Sequence, residues 1–168
     1  MRDGQLTRYD RWMHRTMNRR EAAPLYETRA RRRVLVGAHV ALTAATVAAA
    51  LAATVGGKVA GALVMVVLVL PWCVATGGIN ASTRGLLELR RRALDERQRA
   101  ERSEVLARAH RITTGLLFVT VVAVGGYRAA GGDLEAVALP ALLGVLVAHW
   151  LMPMWVAGLR AQDEPDDE

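Results

Sequence analysis

Charged and apolar residues in this chain are sorted into long blocks. No Asp, Glu, Lys or Arg occurs between Arg33 and Lys58, between Lys58 and Arg84, or between Glu135 and Arg160, and each gap runs 24 or 25 residues. A hydrocarbon core ~30 Å thick is crossed by roughly 20 apolar residues, so each gap is long enough to span it. A fourth run, 112–127, has only 16 uncharged residues. It reaches membrane length if Arg128 extends its head to the interface and the span continues to Ala130. In a soluble protein the Val-rich stretches 51–55 and 64–70 would suit buried strands. Four runs of membrane length separated by arginine clusters argue instead for transmembrane helices. The pattern predicts an all-α fold, a four-helix transmembrane bundle made of two in-out-in hairpins, with a long cytoplasmic helix leading into the third span. Span one, with nine Ala, is the least hydrophobic and is expected to be the most enclosed.

These blocks divide the chain into a basic arm (1–33), a first hairpin (34–79), a charged helix (80–111), a second hairpin (112–159) and an acidic tail (160–168) expected to be disordered. In the arm, residues 1–23 read as an amphipathic helix. Leu6, Tyr9, Met13 and Met17 share one face, and Arg8, Arg11, Arg15 and Arg19 surround it. With Trp12 as an interfacial aromatic, the segment suits either the inner leaflet or a solvated arm. Gly56 and Gly57 provide a tight turn between spans one and two, and Gly57 with Gly61 forms a GxxxG, a weak dimerisation signal in so Ala- and Gly-rich a chain. The 80–111 segment carries three helical pairs in the favourable order, Glu88 with Arg92, Asp95 with Arg99 and Glu104 with Arg108. Its apolar residues, Leu86, Leu87, Leu89, Ala93 and Leu94, give way to an almost wholly polar stretch from Asp95 to Glu104, so no coiled coil is expected. Gly125, Gly126, Gly131 and Gly132 mark the outer turn after span three, and Asp133 is placed to cap span four. Pro140 lies early enough in span four to be tolerated, whereas Pro71 and Pro153 lie deeper and are candidate hinges. Arg33 to Gly37 and Arg111 to Gly115, together with Pro71-Trp72 and Pro153 with Trp155, hint at a tandem repeat of two hairpins.

Charge then orients the spans. The formal net charge is +6, and 19 of the 22 basic residues fall within 1–33 and 84–111. If the spans alternate, both blocks lie on one side, which the positive-inside rule makes cytoplasmic. The chain therefore reads as a multi-pass protein of a bacterial plasma membrane with both termini cytoplasmic, and topology accounts for the basic blocks without nucleic acid. Arg outnumbers Lys 21 to 1, a bias of GC-rich genomes such as those of actinomycetes. The lone Cys73 allows no disulfide framework. No cleavable leader is expected, because the first apolar run begins after 33 residues and is too long for one.

Chemistry is sparse. No Asp, Glu, Lys or Arg lies within a span core, which removes the usual means of coupling protons or binding a charged substrate. His39 in span one and His149 in span four could meet if those helices are neighbours, and paired imidazoles can hold haem or a metal. The competing reading is that each imidazole hydrogen-bonds a backbone carbonyl or a Thr on an adjacent helix, favoured because no carboxylate stands behind the pair. Trp72, Trp150 and Trp155 read as interfacial anchors. No nucleotide loop, metalloprotease motif or nucleophile elbow occurs, so no enzymatic activity and no cofactor are expected.

The segment Leu94-Asp95-Glu96-Arg97-Gln98-Arg99-Ala100, continuing through Ala107-Arg108-Ala109-His110-Arg111-Ile112, resembles a pattern in small four-span membrane proteins of actinobacteria to which no activity is assigned. The resemblance covers about twenty residues. It implies a membrane protein and no mechanism. The leading expectation is a non-enzymatic interaction or regulatory protein that engages membrane lipids or a protein partner through Arg8, Arg11, Trp12, Arg15, Arg19, Arg90, Arg91 and Arg92. The alternative is a subunit of a small homo-oligomeric transporter or channel with Pro71 and Pro153 as hinges. The third is an electron carrier binding haem or metal at His39 and His149.

Overall fold

A computed structural model describes residues 7–17, 23–54 and 59–161. The Gly56-Gly57 turn, Leu6, Arg19 and the acidic tail lie outside them. Six α-helices occur among the described residues, with no strand: α1 (Arg8–Met17), α2 (Ala23–Tyr26), α3 (Arg29–Thr54), α4 (Val59–Ser82), α5 (Glu96–Ala129) and α6 (Leu134–Arg160). The last four are each long and apolar enough to cross a membrane, so the chain is a multi-pass membrane protein by length and composition.

Helix α3 packs chiefly on α4, and α5 on α6, with α6 joining the two pairs through contacts to both α3 and α4. As expected of the Ala-rich span, α3 is the most enclosed of the four. Its backbone also lies close against that of α4. A Cβ added at Gly61 would stand 2.7 Å from the Ala49 carbonyl oxygen and 2.8 Å from the Ala53 nitrogen. Gly61 thus seats α4 on α3 within one chain. Nearer the basic end, Val36, Ile79, Leu151 and Met154 form a core where α3, α4 and α6 meet, and Gly158 lets α6 approach Ile79 and Val36.

The single helix expected over 80–111 is two different structures. After Ser82 the chain leaves helical geometry with Arg84 at φ 52° and Gly85 at φ 71°. The Gly85 N–H donates to the Asn80 carbonyl and the Arg84 N–H to that of Ala81, a Schellman closure in which an arginine holds the left-handed position glycine usually fills. Turns and a 3-10 segment (Arg91–Ala93) follow. Asp95 then starts α5 through a capping box, accepting from the Gln98 N–H at 2.7 Å while the Gln98 side chain accepts from the Asp95 N–H at 3.1 Å. From Glu96 the helix runs without a break through the third span, as the sequence predicts.

Members of two of the expected helical charge pairs are engaged elsewhere. Asp95 is a cap, the Arg99 Nε donates to the Arg91 carbonyl at 3.0 Å, and Glu104 pairs with Arg160 of α6 at 2.7 Å. At the other end Gly125 and Gly126 remain helical, and the turn is confined to 130–133, where Gly131 takes φ 89°. Asp133 caps α6 as predicted, accepting from the Glu135 N–H at 2.9 Å. Pro71 and Pro153 lie inside helices that continue through them.

Candidate functional site

Two groupings stand out, one at the basic end and one inside the bundle. At the basic end, α1 starts on Thr7. The Thr7 N–H and hydroxyl donate to Asp10 Oδ2 at 2.9 and 2.8 Å, and the Asp10 N–H donates back to the Thr7 hydroxyl at 3.3 Å. Asp10 is 1% exposed, and Arg90 Nε lies 4.0 Å from its other carboxylate oxygen. The same guanidinium sits 5.0 Å above the Tyr9 ring, a cation–π contact. Met13 packs against the buried Leu89, Ala93 and Leu94. The arm therefore docks one face on the loop after α4. The other face carries the exposed Arg8, Arg11, Trp12 and Arg15.

Arginines of α5 fasten that loop from below. Arg99 reaches the Arg91 carbonyl, and Arg102 Nη1 donates to the Leu89 carbonyl at 2.8 Å. Arg90 and Arg91 remain exposed, and the Arg92 backbone lies in the 3-10 segment. Arg32, absent from the expected site, is 4% exposed and donates to the carbonyls of Tyr26 at 3.0 Å and Glu27 at 3.3 Å. Its position in a run of arginines gave no cue that it alone would turn inward.

Glu88 in this loop is partly enclosed, and its Oε2 has no hydrogen-bond partner among the described residues. Burial raises its pKa above the ordinary glutamate value, against the opposing pull of the Glu88 and Leu87 N–H groups and of Arg102. The folded state therefore favours the neutral acid. That preference stabilises the fold fully below the ordinary glutamate range and is lost as pH rises through the raised value of Glu88. Glu88→Gln is expected to raise the unfolding midpoint at neutral pH by a few degrees and to flatten its decline across that window. Thermal scans of the two proteins over a pH series check this.

The second grouping surrounds His39, which is fully buried. The Trp155 Nε1–H of α6 donates to His39 Nδ1 at 2.9 Å, and His39 Nε2 lies 2.9 Å from the Thr76 hydroxyl of α4. Thr76 donates its own proton to the Trp72 carbonyl at 2.9 Å, so toward His39 its oxygen accepts. These directions assign the neutral Nε2–H tautomer. The Trp72 Nε1–H donates to the Thr43 hydroxyl at 2.9 Å, and Thr43 donates to the His39 carbonyl at 2.8 Å. Both indoles also pack on the imidazole, with centroids 4.9 Å away for Trp72 and 6.2 Å, edge-on, for Trp155.

His39 and His149 therefore do not form a pair. Both ring nitrogens of His39 face other side chains, and His149 is exposed. The Thr partner weighed from sequence is correct for His39 and finds no parallel at His149. Nor are Trp72 and Trp155 interfacial anchors, since their N–H groups bond within the bundle; Trp150 is exposed. Among the described residues no three His, Cys, Asp or Glu side chains gather as a metal site. Compared with known proteins, the chain matches no family model, no curated protein and no solved structure.

Proposed function

We propose that this chain is a non-enzymatic protein of a bacterial plasma membrane, with both termini cytoplasmic, whose basic end holds anionic lipid headgroups or an acidic protein surface. The sorting of charge on α1 carries this reading. Its one acid, Asp10, is buried against the protein, while Arg8, Arg11 and Arg15 face outward beside the half-exposed Tyr9 and Trp12. A docked helix with a wholly cationic, aromatic outer face complements an anionic surface. Each arginine near such a surface contributes about 1 kcal/mol, and the indole suits the headgroup boundary. The electron-transfer alternative fits less well, because His39 would have to give up a protein hydrogen bond to ligate anything.

Full-length protein purified from vesicles of mixed zwitterionic and anionic phospholipid is expected to retain anionic lipid in a salt-sensitive manner. The triple variant Arg8→Gln, Arg11→Gln, Arg15→Gln should lose most of it, read by phospholipid analysis of the purified samples. Equal retention by the two proteins, together with equal recovery of any co-purifying protein, would remove α1 from the reading.

A further inference from the structure

The outer half of α6 presents a stripe that none of the described residues covers. Leu139, Leu142 and Leu146 are 56%, 67% and 65% exposed, Trp150 is 74% exposed, and His149 is exposed beside it. Leu139, Leu142, Leu146 and His149 are spaced by three, four and three residues, so they line one side of the helix at the repeat of a coiled-coil seam. The stripe ends toward the basic end, where Val156 and Ala157 are covered by Leu86, Val105 and Ala109.

Exposed leucines alone would mean contact with lipid tails. His149 means more. It lies ~16 Å along the helix from Arg160 and ~22 Å from Leu134, deep in the charge-free stretch, and its imidazole has no partner among the described residues. Pro153, four residues on, has no N–H to give the His149 carbonyl. Lipid tails can satisfy neither group, and a polar group left unpaired in hydrocarbon costs several kcal/mol.

We propose that this stripe seats a second copy of the chain, α6 against α6, about a two-fold axis along the membrane normal. Two copies with the same orientation in the membrane bring these helices together in parallel, so each seam residue meets its own counterpart. A neutral imidazole has one donor and one acceptor, so one His149 can donate a single N–H···N bond to the ring nitrogen of the other, a partner that neither copy finds among its own described residues. The exposed leucines and Trp150 offer at most roughly 500 Å² per copy, or about 1,000 Å² in all, which just reaches the lower limit for a specific interface. A single polar pair in an otherwise apolar seam also fixes the register. The proposal rests on the four-span reading and not on lipid binding by α1.

The test uses full-length protein in lipid vesicles, with Cys73 replaced by Ala and single cysteines introduced. Mild oxidation is expected to give disulfide-linked dimers from Leu142→Cys and Leu146→Cys, but not above the collision level from Val66→Cys on α4 or Phe118→Cys on α5, which are equally exposed. Energy transfer between labelled copies diluted with lipid should show His149→Leu weakening association by about three- to thirtyfold and His149→Asn, which keeps a donor and an acceptor, weakening it less. Equal cross-linking at all four positions would overturn the proposal. So would a monomer at every dilution, His149→Leu associating as the unaltered protein does, or seam cysteines in native membranes linking to a different protein. The triple arginine variant of α1 should dimerise normally, which keeps the two proposals separable.

Discussion

Gly61→Val is expected to leave little correctly assembled protein. The added Cβ would fall 2.7 Å from the Ala49 carbonyl oxygen and 2.8 Å from the Ala53 nitrogen, both backbone atoms that cannot rotate aside. Helices α3 and α4 must separate along their shared interface, at a cost of about 3 kcal/mol or more. Gly158→Ala provides the contrast. Its nearest neighbours are the Ile79 methyl at 2.9 Å and the Val36 methyl at 3.1 Å, which can shift by a few tenths of an ångström. Size-exclusion profiles and denaturant midpoints in detergent should rank the proteins as parent, Gly158→Ala, then Gly61→Val. A Gly61→Val protein with the parental midpoint would show that the two backbones are not in contact.

His39→Ala is expected to be the other severe substitution. It removes the acceptor of the Trp155 N–H, the donor to Thr76 and the ring on which both indoles pack. An orphaned buried donor costs about 1–3 kcal/mol, and the cavity left by the ring adds about 24 cal/mol per Å³ that does not collapse. A total of about 3 kcal/mol follows. Trp155→Phe removes one donor and keeps the aromatic body, so it should cost about a third as much. In a double-mutant cycle, His39→Ala and Trp155→Phe should be less than additive, because the first change already breaks their shared bond. Full additivity would mean that the bond contributes nothing.

The spans were legible because a hydrocarbon slab imposes a length, and charge-free stretches of 24 or 25 residues report that length directly. Even the short third run is explained by its helix, which extends from Glu96 through Arg128 to Ala129. The failures lie where backbone geometry decides. Nothing in the sequence sets Arg84 apart from its neighbours, yet it takes the left-handed position and ends α4. The partner of Glu104 was out of reach of any local rule, because Glu104 and Arg160 are 56 residues apart and only the packing of α5 on α6 brings them together. The His39 network was half visible. Thr as a partner could be anticipated from composition, but its identity as Thr76, and the turning of Trp155 inward, depend on how α6 lies against α3 and α4.

The length of α5 has a mechanical side. Its 34 residues form one rod of ~50 Å. Val105, Ala109 and the Glu104–Arg160 pair pin that rod about a third of the way along. The long arm beyond the pin is held mainly by α6, and most of its side chains are exposed. A stiff rod held this way is a lever. Were α5 to pivot rigidly at that point, each ångström at the arginine-fastened loop would correspond to roughly two at the far end near Ala129, in the opposite direction.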